Sequence, residues 1–214
     1  MGRAVAKALA ADGLNVVGID VRPCKGGMVC DISDPRAVAK AVRAIGRVDV
    51  LVNNAGILSN NKSEATTPEE WRRVLAANLD GAFYLSRAVI PGMKKRRWGR
   101  IVNTCSLAAK TGGLTAGTAY STSKGALTSL TFSLARELAA FGVTVNGISP
   151  AYVRTPMVTE QLSAAQRKSV LAQIPVGRFC EPEEFAHVVR FLVHPLAGFI
   201  TGEIVDLNGG VVMD

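Results

Sequence analysis

Apolar positions at helical spacing mark the first turns of the chain: Ala4, Val5, Ala8, Leu9 and Ala11 share one face before Gly13 ends the run. Residues 16–19 then form a short apolar stretch that stops at Asp20, and residues 28–30 form another that stops at Asp31. Asp34-Pro35 opens a helix through Ile45, followed by a strand over residues 48–52. A long helix opened by Thr67-Pro68-Glu69-Glu70 ends near Pro91-Gly92, and a strand follows over 100–104. The remainder reads as a helix over 120–141, a strand over 143–148, helices over 163–173 and 182–194, and a last strand over 203–207.

Strands alternating with helices predict an α/β fold with a Rossmann-like, doubly wound parallel sheet, covered on both faces. Ligands of such sheets bind at the carboxyl ends of the strands. Here those ends are spelled Asp20, Asp31, Asn53-Asn54-Ala55-Gly56, Ser106 and Ser149-Pro150, so one rim collects them all.

Composition narrows the class. With 48% hydrophobic and 20% charged residues and no linker-like stretch, residues 1–214 read as one globular domain. No apolar run approaches the roughly 20 residues of a membrane span. Lys7 and Asp12 interrupt the start as an export signal, and Ala6 stands where a myristoylation signal wants Ser or Thr. The expected location is the cytoplasm. Cys24, Cys30, Cys105 and Cys180 lack metal-ligand spacing and are expected to be reduced thiols, with no metal site. The net charge of +8 and the run Lys94-Lys95-Arg96-Arg97-Trp98 raise nucleic acid as a partner, but cations following a long helix serve its negative end, and no nucleic acid is expected.

Three rim words carry chemistry. Tyr120 and Lys124 lie four apart on a helix and so share a face. A fixed ammonium beside a phenol favours the phenolate, drawing an acid/base of pKa about 10 toward neutrality. The run 100–106 ends in Ser106, which lacks a nucleophile elbow and suits a hydrogen-bond donor to a substrate oxygen. Asn53-Asn54-Ala55-Gly56 offers a tight backbone turn against a flat ligand.

Together with Asp31-Ile32, Asn78, Ser149-Pro150-Ala151, Thr155, and the ending Gly202-Glu203 to Asn208-Gly209-Gly210, these words resemble the classical short-chain dehydrogenase/reductase family, in its 3-oxoacyl-carrier-protein-reductase-like branch. The resemblance covers essentially the whole chain. It implies that Tyr120 exchanges the proton on the substrate oxygen while hydride passes between nicotinamide and carbon. Lys124 would lower the tyrosine pKa and hold the nicotinamide ribose, Ser106 would polarise the carbonyl, and Asn78 would anchor a water. It also implies a cofactor site of Gly2, Asp20, Asp31, Ile32, Asn54, Ala55, Gly56, Tyr120, Lys124, Pro150, Val153 and Thr155. Asp20 would accept the ribose hydroxyls and repel a 2′-phosphate, which favours NAD over NADP, although Arg22 two residues on works against that. Long helices pairing across subunits would give a homo-oligomer, dimer or tetramer.

The chain departs from the family at its start, where the first strand and most of the glycine-rich loop are absent and Gly2 takes the place of the last glycine. Either Met1 is an internal methionine of a longer chain, the preferred reading, or the domain is N-terminally truncated and two sheet edges are left unpaired. The ten residues between Asp20 and Asp31 leave room only for a loop. The interval from Ser106 to Tyr120 is one residue longer than the family's, and Ala151 replaces a glycine. The expected activity is interconversion of a secondary alcohol and a ketone, with the substrate chosen by residues 107–117 and by the segment 154–180, which carries Met157, Leu162, Leu171 and Ile174. The competing expectation is a non-catalytic oligomerising or binding module on the same scaffold.

Overall fold

The computed structural model describes every residue except Lys25, Gln161 and Asp214, together with the side chain of Met157. Among the described residues there are six strands, β1 (Ile19–Asp20), β2 (Met28–Val29), β3 (Val50–Asn53), β4 (Gly99–Thr104), β5 (Val143–Pro150) and β6 (Ile204–Leu207), with helices between successive strands from β2 onward. β3, β4, β5 and β6 are neighbours in that order in one sheet, while β1 and β2 pair separately. β1 and β3 are not hydrogen-bonded to each other, so the parallel strands fall in two sheets, with the facing edges of β1 or β2 and of β3 unpaired. The run predicted over 16–19 is reduced to the strand Ile19–Asp20, and that over 28–30 to Met28–Val29, paired to each other in register.

Every residue of β4 and β5 is buried, as befits central parallel strands covered on both faces, whereas β3 and β6 are only part-buried. Successive side chains of β4 point to opposite layers. Val102 meets α1 (Gly2–Ala11) and α9 (Pro182–Val193) through Val5, Leu9, Phe185 and Val189. Ile101 meets Val89, Met93, Leu134 and Leu138 of α4 (Gly81–Arg96) and α6 (Thr118–Leu138) on the other side.

Helix starts follow their caps. The Asp34 carboxylate accepts the Arg36 N–H ahead of α2 (Pro35–Ile45), and Thr67 accepts that of Glu70 ahead of α3 (Pro68–Leu75). Ser163 and Gln166 form a capping box on α8 (Ala164–Leu171). Two short helices, α5 (Ala108–Thr111) and α7 (Pro156–Thr159), were not anticipated from the pattern.

The predicted end near Pro91-Gly92 is corrected: α4 continues to Arg96 and stops at Arg97 in the left-handed conformation, φ 54°. Pro91 lies on the exposed side of the helix, and burial of Val89 and Met93 on the other side carries the chain past it. The basic run therefore forms the last turn of the helix and its cap rather than following it. Its cations serve the fold: Lys94 lies over the Phe141 ring, Arg96 binds Asp49 and the Val48 carbonyl, and Arg97 binds the Ala140 carbonyl. Among the described residues no helix is long and apolar enough to cross a membrane, and no three metal-ligating side chains cluster.

Candidate active site

Ser106, just past the end of β4, and Tyr120, in the first turn of α6, line one open cleft, and Lys124 lies buried one turn further along α6. The rest of that cleft is largely apolar, with Leu58, Leu114, Tyr152, Val158 and Leu162 on its walls. Leu162 is thus one of the expected substrate-side residues that reaches it. Ile174 packs beside Gly209 instead, and the Met157 side chain is outside the described residues.

Lys124 is 3% exposed, and its ammonium donates to the Thr104 carbonyl at 2.7 Å and lies 5.8 Å from the centre of the Tyr120 ring. Burial pulls its pKa down to about 8. Burial also holds the Tyr120 phenol above its ordinary value, against the opposing pull of the Ser106 hydroxyl. The phenol is therefore protonated at neutral pH, which is the form that donates. Ser106 Oγ accepts the Ala108 N–H at 3.2 Å, which fixes the hydroxyl beside the Tyr120 phenol.

Asn78 is 1% exposed and sits in a π-helical turn, Ala76–Asp80, between α3 and α4. Its Oδ1 accepts the Ile57 N–H at 2.8 Å, and its Nδ2 donates to the Ile57 carbonyl and to Ser123 Oγ, both at 3.0 Å. Ser123 Oγ in turn donates to the Tyr120 carbonyl at 2.7 Å. Asn78 thus ties the turn after β3 to the helix that carries the tyrosine, with one lone pair of Oδ1 still open.

Around this centre the rim residues divide. Asn54, next to Gly2, has a buried Oδ1 without a hydrogen-bond partner. Gly56 leaves room where a Cβ would come 3.1 Å from Asn78 Oδ1 and 3.4 Å from Lys124 Nζ. Ala55 stands between them in sequence. An orphaned amide oxygen and a glycine-lined approach to the lysine fit a flat, polar cofactor laid across the strand ends. Asp20 accepts the Arg22 N–H at 2.9 Å, and Asp31 accepts both the N–H and the hydroxyl of Ser33. Ile32 is a core side chain packed with Val38 and Leu85, so any part it has in the site falls to its backbone. The Pro150 carbonyl accepts the Leu107 N–H, Val153 is buried and bridged to Cys180, and Thr155 begins α7.

Sequence reasoning missed the buried amide pair beneath the rim. Asn53 Nδ2 donates to Asn103 Oδ1 at 2.8 Å across the registered positions of β3 and β4, and Asn103 Nδ2 continues to Thr131 Oγ1 on α6. Asparagine inside otherwise apolar strands was the available signal.

A parallel sheet with serine, tyrosine and lysine gathered at its carboxyl ends defines an α/β oxidoreductase. The sequence matches the enoyl-(acyl carrier protein) reductase family over residues 1–212. The 3-oxoacyl-[acyl-carrier-protein] reductase of Vibrio cholerae is 40% identical over the whole chain and 93% of that relative, and the Escherichia coli protein of the same name is 38% identical with the same coverage. The crystal structure of the 3-oxoacyl-[acyl-carrier protein] reductase from Brucella melitensis superposes with a TM-score of 0.94 at 33% identity, over 100% of this chain and 87% of that one. The chain belongs to the short-chain dehydrogenase/reductase family, among its 3-oxoacyl-carrier-protein-reductase-like members.

Proposed function

We propose that the protein interconverts a ketone and a secondary alcohol with a nicotinamide cofactor, and that its ketone is a 3-oxoacyl thioester. The observation that carries this reading is that Ser106 and Tyr120 share the lining of a largely apolar cleft, with the buried Lys124 ammonium 5.8 Å from the centre of the Tyr120 ring. An acyl chain suits those apolar walls better than a sugar acid does. The similar reductases from Vibrio cholerae and Escherichia coli are named for the same substrate class.

The cofactor, when bound, supplies hydride to the carbonyl carbon. Ser106 donates a hydrogen bond to the carbonyl oxygen and polarises it. Tyr120, protonated at neutral pH, passes its phenolic proton to that oxygen as charge develops there. Lys124 holds a positive charge beside the phenolate so formed. The residues that would hold the cofactor are Gly2, Asp20, Asp31, Asn54, Ala55, Gly56, Lys124, Pro150, Val153 and Thr155.

NAD(H) is the proposed form, because the Asp20 carboxylate at the end of β1 would repel a 2′-phosphate. The test is the initial rate with acetoacetyl-CoA and either NADH or NADPH. The expected result is turnover with kcat/KM higher for NADH. A preference for NADPH overturns the cofactor assignment, and no turnover with either overturns the substrate class. Phe83 on α4 and Phe132 on α6 are about half exposed, and we assign these helices to the pairing surface of a homo-oligomer. The four free thiols fit a reducing cytoplasm.

A further inference from the structure

The outer wall of the cleft is the loop of residues 112–117, which carries Leu114 and Thr115 into the lining. This loop is stitched to the rest of the protein from outside, by residues 59–63. The Gly117 N–H donates to the Ser59 carbonyl at 2.7 Å, and the Thr118 N–H donates to that of Asn61 at 3.1 Å. Ser63 Oγ and Thr118 Oγ1 share a hydrogen bond at 3.0 Å. Across the middle, the Lys62 ammonium donates to the carbonyls of Ala116 at 2.7 Å and Gly113 at 3.1 Å. Neither carbonyl accepts a backbone N–H among the described residues.

The stitching segment is itself anchored. Ser59 Oγ and Asn61 Nδ2 donate to the two carboxylate oxygens of Glu70 in the first turn of α3, at 2.6 and 2.7 Å. Those two bonds hold the Glu70 carboxyl below the usual range, so it stays charged. The loop opens with two glycines in the left-handed region, Gly112 and Gly113, with φ of 74° and 84°, which other residues rarely adopt. At the far end, a Cβ on Gly117 would overlap the Asn61 carbonyl, so the two segments lie as close as backbones allow.

We propose that Lys62 is a positioning residue that fixes the outer wall of the cleft and thereby the fit of the substrate; the inference rests on the ketone-reducing reading of the site. Lys62 does not line the cleft and acts through the carbonyls of Gly113 and Ala116. Without its charge, the carbonyls of Gly113 and Ala116 lose their donor, and the loop keeps its stitch only at the Gly117–Thr118 end and loosens. The reacting groups stand just past the end of β4 and on α6, outside that loop. The effect therefore falls on KM and not on kcat.

The experiment compares wild type, Lys62→Met and Lys62→Arg by backbone amide exchange and by steady-state kinetics with acetoacetyl-CoA. Loss of a charge-assisted hydrogen bond of ordinary strength corresponds to about a tenfold change or more. Lys62→Met is expected to exchange the Gly117 and Thr118 amides about tenfold faster and to raise KM by a similar factor, with kcat within about twofold. Lys62→Arg is expected to restore both. Unchanged exchange at those amides, a fall in kcat with KM unchanged, or an arginine variant as impaired as the methionine one would each overturn the proposal. Absence of any turnover in wild type would count against the reaction assigned to the site, while amide exchange would still decide the role of Lys62.

Discussion

Tyr120→Phe is expected to lower kcat/KM for ketone reduction by about 10²- to 10⁴-fold, the range for loss of a positioned general acid. The phenol is half-buried in the cleft lining and protonated at neutral pH, so it is the strong candidate there for donating a proton to the nascent alkoxide. Ser106 is a far weaker acid, and the Lys124 ammonium is buried and does not line the cleft. Removing one hydroxyl leaves the ring packing of Tyr120 intact, so the thermal midpoint should stay close to that of wild type. Activity within threefold of wild type would place the proton donor elsewhere.

Lys124→Met is expected to separate activity from stability. The ammonium is buried, with a folded-state pKa of about 8 against an ordinary 10.5. The folded protein therefore releases this proton between about pH 8 and 10.5 while the unfolded chain keeps it, and stability from this group rises with pH across that window. Below pH 8 the burial opposes folding by about 3 kcal/mol, an upper figure because the Thr104 hydrogen bond is lost with the charge. Methionine removes the opposition, so at neutral pH the variant should melt no lower than wild type. Its margin over wild type should shrink as pH rises from about 8 to 10.5. Its kcat/KM should fall by about a hundredfold or more, since the phenolate loses its neighbouring charge. For wild type, kcat/KM for reduction should decline above about pH 8 as Lys124 loses its proton. A variant that melts well below wild type would make Lys124 a structural residue and contradict this account.

How much of this was legible beforehand follows from the range of the interactions. Asp34-Pro35 and Thr67-Pro68 announced helix starts because a cap and its helix are contiguous. Tyr120 and Lys124 were found for the same reason, their four-residue spacing being geometry in itself. The helix running past Pro91 was not legible, because its support comes from Val89 and Met93 against β4 and β5. The Asn53–Asn103 pair depends on a strand register that local pattern does not encode. The bond from Lys62 to Ala116 spans 54 positions, and nothing near Lys62 points to its acceptors. The expected lowering of the Tyr120 pKa by Lys124 is corrected by the fold: burial raises the phenol and lowers the ammonium, and burial depth belongs to the folded core, beyond what a four-residue spacing encodes.

In the proposed reaction hydride reaches a ketone carbon held in the cleft against Ser106 and Tyr120. Its most direct test is reduction of acetoacetyl-CoA with NADH carrying deuterium at both C4 positions, followed by the mass of the product in wild type and Tyr120→Phe. The account predicts a 3-hydroxyacyl thioester bearing one deuterium on the carbinol carbon, formed by wild type and nearly lost in the variant. Product without deuterium, or equal product from both proteins, would contradict it.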